Sequence, residues 1–175
     1  MTEEKRHYRL NLYTSLLAIG ISVAAMGVSL LEVTAMREQQ RAEVWPYLEF
    51  RQSFSEEGFR LTLANKGVGP ALVGTANMMS GDRVIDDLDA FIAETVGAEN
   101  AFSYDVYRTS NPTNSVLSPG ESVTVFLIPW EPRTQLLMER WGSSVNFDAC
   151  YCSIHEECWL TDIKRSRPVS VSSCQ

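Results

Sequence analysis

Three of the four cysteines and one of the two histidines fall within nine positions: Cys150, Cys152, His155 and Cys158, in the stretch ACYCSIHEECWL. The fourth cysteine, Cys174, is the penultimate residue. Sulfur and imidazole at this density can do three kinds of chemistry. Cys150, Cys152, His155 and Cys158 could present three thiolates and a ring nitrogen to zinc or copper. The CysXaaCys pair, Cys150 and Cys152, could cycle between dithiol and disulfide. An even set of four cysteines in an oxidising compartment could instead form structural disulfides. Zinc sites usually join two separated ligand pairs, whereas these ligands come from one short segment and would strand Cys174. The compartment decides, and the rest of the sequence bears on it.

Residues 10–31, LNLYTSLLAIGISVAAMGVSLL, carry no charge. As a helix they would reach ~33 Å, enough for a hydrocarbon core of roughly 30 Å. Lys5, Arg6 and Arg9 precede the run, with Glu3 and Glu4; Glu32, Arg37, Glu38, Arg41 and Glu43 follow it. Basic residues stay on the cytoplasmic side. Residues 1–9 are therefore expected inside, 10–31 as a transmembrane helix, and all that follows outside. Val33-Thr34-Ala35 could pass as a signal cleavage site, but the apolar run is longer than the roughly 7–15 residues of a signal sequence, so an uncleaved anchor is expected. Residues 32–44 lack Gly and Pro and extend the helix until Pro46 stops it. Within the span, Ser15, Ala18, Ser22, Ala25 and Ser29 recur three and four apart, a stripe against which a second helix could pack. Gly20, Ala24 and Gly27 form another small track.

The formal charge of −7 falls wholly after Trp45. An acidic domain without a basic stripe is a poor partner for phosphate backbones, which argues against nucleic acid. From residue 45 to 164 the pattern is one of short alternating strands: 45–51, 59–63, 71–79, the apolar SVTVFLIPW, 144–152 and 158–164. Asp86 to Val96 has helical spacing at Leu88, Phe91, Ile92 and Val96. Its aspartates suit a helix start better than a calcium loop, since the EF-hand glycine is missing. Arg133 to Trp141 reads as a second short helix. In ANKGVGPALVG, Gly67, Gly69 and Pro70 read as turn or bulge residues, with glycine available for positive φ; no Lys-Ser/Thr follows, which excludes a phosphate loop. The whole predicts an antiparallel β-sandwich.

On such a domain, a hairpin centred on His155 sets Cys152 opposite Cys158 and Tyr151 opposite Trp159. Cys150 then takes Cys174 and ties the tail, residues 165–175, back onto the sheet. A one-residue shift of the centre gives the alternative, Cys150 with Cys158 and Cys152 with Cys174.

The order of an N-terminal anchor, WPYL, NKGVGPALV, SPGES and CYCSIHEECW resembles a group of bacterial single-pass membrane proteins without an established activity. NKGVGPA also resembles a turn of immunoglobulin-like adhesion modules. The resemblance implies an immunoglobulin-like periplasmic domain held on the bacterial inner membrane. No GxSxG, HExxH or dinucleotide fingerprint occurs, and His7 falls on the opposite side of the bilayer from His155. The expectation is a non-catalytic binding or scaffolding subunit, without cofactor, that contacts another envelope protein or itself through the helix. The alternative is a thiol-disulfide or copper-handling envelope protein using the CysXaaCys segment.

Overall fold

The computed structural model describes residues 2–103, 106–141 and 145–174, excepting the side chains of residues 2–6, 8–11, 133 and 141. The side chains of Lys5, Arg6, Arg9 and Trp141 and the expected strand start at Ser144 lie outside what is described. The chain divides into two compact units, residues 1–42 and 43–175.

The first unit is helix α1, Thr2–Glu43, unbroken because nothing in it opposes helix formation until Pro46. From Leu12 to Glu43 it is apolar enough to cross a membrane, with a mean hydropathy of 2.1 over its most apolar window and none of that window buried. Leu16, Leu17, Ile21 and Val23 are each more than half exposed. A helix this apolar whose apolar window is unburied fits a single-pass membrane span.

The second unit is a sandwich of two antiparallel sheets. Strands β1 (Leu48–Ser55), β2 (Gly58–Asn65), β3 (Ala71–Ser80) and β4 (Arg83–Val84) come first. Helix α2 (Leu88–Val96), β5 (Arg108–Thr109), β6 (Ser115–Leu117), β7 (Ser122–Ile128) and helix α3 (Pro132–Trp141) follow. Strands β8 (Val145–Cys152), β9 (Cys158–Asp162) and β10 (Val169–Val171) complete the unit. One sheet has the order β1-β2-β7-β5; the other runs β10-β9-β8-β3-β4, with β6 also on β3. Taking β1, β2, β3, β5, β7, β8 and β9 as A to G gives A-B-E-D facing G-F-C, the Greek key of immunoglobulin-like sandwiches.

Alternation places Phe59, Leu61, Phe126, Ile128 and Phe147 between the sheets, and α2 and α3 close one flank of this core with Phe91, Ile92, Val96 and Leu137. Burying each such side chain fully contributes about 1.5–3 kcal/mol. Asp87 caps α2 by accepting a hydrogen bond from Ala90 N at 3.0 Å, and Asp89 accepts one from the Tyr107 hydroxyl at 2.6 Å. These aspartates are occupied in starting a helix and fixing the loop after it.

The sequence expectation fails at three places, each for a tertiary reason. Residues 45–47 are not a strand: Lys66 N donates to Tyr47 O and Val68 N to Trp45 O, so a loop holds their carbonyls. The polar stretch before Asn114 supplies the short strand β5, and β6 follows it. The tail adds an edge strand, with Val169 to Val171 pairing Leu160 to Cys158.

Gly67 and Gly69 also have another purpose than the one expected, because neither has a positive φ. A Cβ on Gly67 would strike the backbone of residues 45–47, and one on Gly69 the carbonyl of Val44. Both are glycine so that two backbones can touch. Asn65, fully buried, holds the contact together. Its Nδ2 donates to Gly69 O at 2.8 Å and Leu117 O at 2.9 Å. Its Oδ1 accepts from Tyr47 N at 3.2 Å and Gly67 N at 2.9 Å. All four hydrogen-bonding positions of the amide are used.

Asn65→Ala leaves two buried carbonyls and two partly buried N–H groups without their partner and is expected to cost about 3 kcal/mol. Gly69→Ala should also destabilise strongly through its backbone clash. Lys66→Ala, at an exposed neighbour, should stay within about 0.5 kcal/mol of the parent. Chemical denaturation of the three variants measures this; an Asn65→Ala midpoint equal to that of Lys66→Ala would contradict the clamp.

Candidate functional site

Strand β8 carries two sets of side chains. Phe147, Ala149 and Tyr151 point into the core, so Asp148, Cys150 and Cys152 occupy the outer face. The register sets Cys152 against Cys158 and Tyr151 against Trp159. Cys152 is bonded to Cys158, and Cys150 to Cys174. These are the pairs that a hairpin centred on His155 calls for, and among the described residues no cysteine is free. On the inner face Tyr151 and Trp159 meet with ring centroids 5.7 Å apart.

The tail reaches Cys150 because β3 makes room for it. The β3–β8 register shifts between Val73 and Thr75, and a Cβ on the intervening Gly74 would clash with the Cys174 side chain. Gly74 is a berth for the tail, a role with no signature in the sequence beyond a glycine inside a strand. With the tail laid down, Cys150 and Cys158 are only 6% exposed, while Cys152 and Cys174 stay partly open.

The sulfur atoms of Cys152, Cys158 and Cys174 lie within 4.8 Å of one another. This trio differs from the metal-ligand set expected from sequence: it includes Cys174 and omits His155. His155 lies exposed in the turn, its backbone N donating to Ser153 Oγ at 3.1 Å. Bridged sulfurs offer no thiolate, so in this oxidised form the three sulfurs serve as cross-links and are not the thiolate ligands that a zinc site uses.

Beside the bridges, Asp148 pairs across the ladder with Asp162 and accepts a hydrogen bond from Asn77 Nδ2 at 3.1 Å. Burial raises the Asp148 pKa; the Asn77 hydrogen bond opposes that shift and the Asp162 charge reinforces it. Asp162 is held by Arg165 Nε at 2.9 Å and caps the turn after β9 by accepting from the backbone N of Lys164 and Arg165. Burial pushes the Tyr151 phenol up to about 12.

The stripe Ser15, Ala18, Ser22, Ala25 and Ser29 lies on α1 and is exposed throughout. Ser22 Oγ donates to Ala18 O at 2.9 Å, which satisfies that hydroxyl within its own helix. A Cβ at Gly20 or Gly27 would meet nothing. One feature went unread in the sequence altogether. A cavity of about 280 Å³ opens at the sheet edge, lined by Phe50, Met78, Ile85, Leu88, Phe126 and polar neighbours such as Ser110. Its walls come from six separate segments, so no motif announces it.

No protein-family model, curated protein or solved structure matches the chain.

The two bridges close loops of very different length, 24 and 6 residues apart in sequence. Chain entropy assigns about 3.5 kcal/mol to the longer and about 2 kcal/mol to the shorter. A Cys150→Ala/Cys174→Ala variant should therefore melt at a lower temperature than Cys152→Ala/Cys158→Ala. The reverse order in calorimetry would refute the ranking.

A carboxyl with a raised folded pKa stabilises while protonated and loses that contribution as pH rises through the folded pKa. Asp148→Asn is thus expected to raise the melting temperature at pH 7. The difference should vanish below the ordinary aspartate value of about 3.9. Melting curves of parent and variant across this range provide the check.

Proposed function

We propose that the chain is a non-catalytic binding or scaffolding subunit of the bacterial envelope. Its helix spans the inner membrane with the N-terminus cytoplasmic and the sandwich periplasmic, where it contacts another envelope protein. The reading rests above all on the complete pairing of the four cysteines behind an apolar helix. Structural disulfides persist where the compartment is oxidising, which is the periplasmic side. The basic residues ahead of the span argue for the same orientation, and the sequence resemblance to bacterial single-pass proteins agrees with it.

A contact role is supported by what the chain exposes. The stripe from Ser15 to Ser29 would let a second helix approach closely. On the sandwich, Phe54 (64% exposed) stacks on Trp130 (40%) with ring centroids 6.2 Å apart. Trp130 is held in place by donating from Nε1 to Ser55 O at 2.6 Å. Rigid, half-exposed aromatics are the usual anchors of protein contacts. The alternative, thiol or copper handling by Cys150 and Cys152, needs both thiols reduced together, and a count of alkylated thiols in the purified protein separates it from the scaffold.

Two measurements test this. Alkaline phosphatase fused after Gln175 should be active, and a fluorescent cytoplasmic reporter at the same place dark; the opposite result removes the orientation. In the membrane, Ala18→Leu or Ala25→Leu should reduce cross-linking to a neighbouring helix several-fold, and Leu17→Ala or Val28→Ala much less. Equal tolerance at both sets would leave the helix as an anchor only.

A further inference from the structure

We propose that the two disulfides form one exchange unit: when a dithiol reductant opens Cys152–Cys158, Cys152 takes Cys174 away from Cys150. This goes beyond the scaffold reading and does not depend on it. The two bridges are in contact, with Cys152 Sγ 3.6 Å from Cys174 Sγ. A sulfur–sulfur bond is about 2.05 Å long, so a movement of roughly 1.5 Å joins them. Cys150 and Cys152 stand two residues apart on β8 and face the same way. Cys174 can therefore change partner without leaving the face, with Gly74 still beneath it.

Exposure sets the order of events. Cys152 and Cys174 are the partly open sulfurs, and Cys150 and Cys158 the buried ones. A reductant thiolate attacks Cys152 Sγ, and Cys158 leaves as a thiolate. The second thiol of the reductant then attacks its own mixed-disulfide sulfur, closing an internal disulfide and releasing the Cys152 thiolate. Cys152 attacks Cys174 Sγ: the Cys152–Cys174 bond forms, Cys150–Cys174 breaks, and Cys150 leaves with the electron pair and takes up a proton. Two electrons come from the dithiol, one disulfide is lost, and the tail stays tied. Opening Cys150–Cys174 first leads to the same product, because the Cys174 thiolate then attacks Cys152 and releases Cys158.

The full-length protein in detergent micelles, titrated with dithiothreitol, trapped with iodoacetamide and mapped without reduction, tests this. The expected single-bridge species carries Cys152–Cys174, with the alkyl groups shifted to Cys150 and Cys158. Single-bridge species that retain only Cys150–Cys174 or only Cys152–Cys158 at every reductant level would overturn the proposal. Cys158→Ser gives a second reading without reductant. Its one free thiol should be shared between Cys150 and Cys152, and a thiol found at Cys152 alone would also overturn it. If that variant does not fold, the titration of the parent decides.

Discussion

Everything at the start of the sandwich hangs on one buried amide. Asn65 sits at the end of β2, and its side chain reaches the incoming chain at Tyr47, its own loop at Gly67 and Gly69, and the strand before β7 at Leu117. Its main chain extends the same junction: Asn65 N donates to Glu121 O, and Gly120 N donates to Asn65 O. A buried polar group with every position satisfied tolerates only one arrangement of its partners. One residue thereby fixes three chain segments that would otherwise meet only through non-directional apolar packing.

The disulfides sit elsewhere than in antibody-type sandwiches, where a bridge crosses the core between the second and sixth strands. Here Leu63 and Tyr151, inside the sandwich on those strands, pack in the core with Leu48, Val73 and Leu117. The bridges occupy the outer face of β8, joining it to β9 and to the tail. The core thus coheres by apolar packing, and covalent bonds secure β8, β9 and the tail against fraying. The partly open sulfurs of that face are what make exchange between the bridges chemically accessible.

The hairpin of β8 and β9 was legible because alternation, turn length and cysteine spacing narrow it to two registers one residue apart, of which the structure takes the one centred on His155. Helix α1, β3 and β7 were legible for a similar reason: long apolar runs leave few alternatives. What escaped depends on residues far apart in sequence. Trp45 to Tyr47 alternates like a strand, yet its carbonyls are claimed by the loop after β2. The tail is polar, yet β9 offers it an unpaired edge. Asn65 resembled any loop asparagine, since its partner Leu117 lies 52 residues away. Gly67 and Gly69 were read as turn formers because a sequence shows the missing side chain but never the backbone that fills its place. The residues of the helical stripe can be placed on one face of α1, but what lies against them is a property of the membrane around the chain.

The grip of the NKGVGPA loop on residues 44–47 has a consequence for the segment that enters the sandwich. Helix α1 ends at Glu43, and the next residues are already bonded to the sandwich: Val44 against Gly69, Trp45 by Val68 N, Tyr47 by Lys66 N. Trp45 also rests its ring on Tyr47 and Trp159. Residues 44–47 are therefore held by the sandwich and are no free linker. A stretch of free glycines and serines in their place would keep its conformational entropy, which this segment gives up when the sandwich folds.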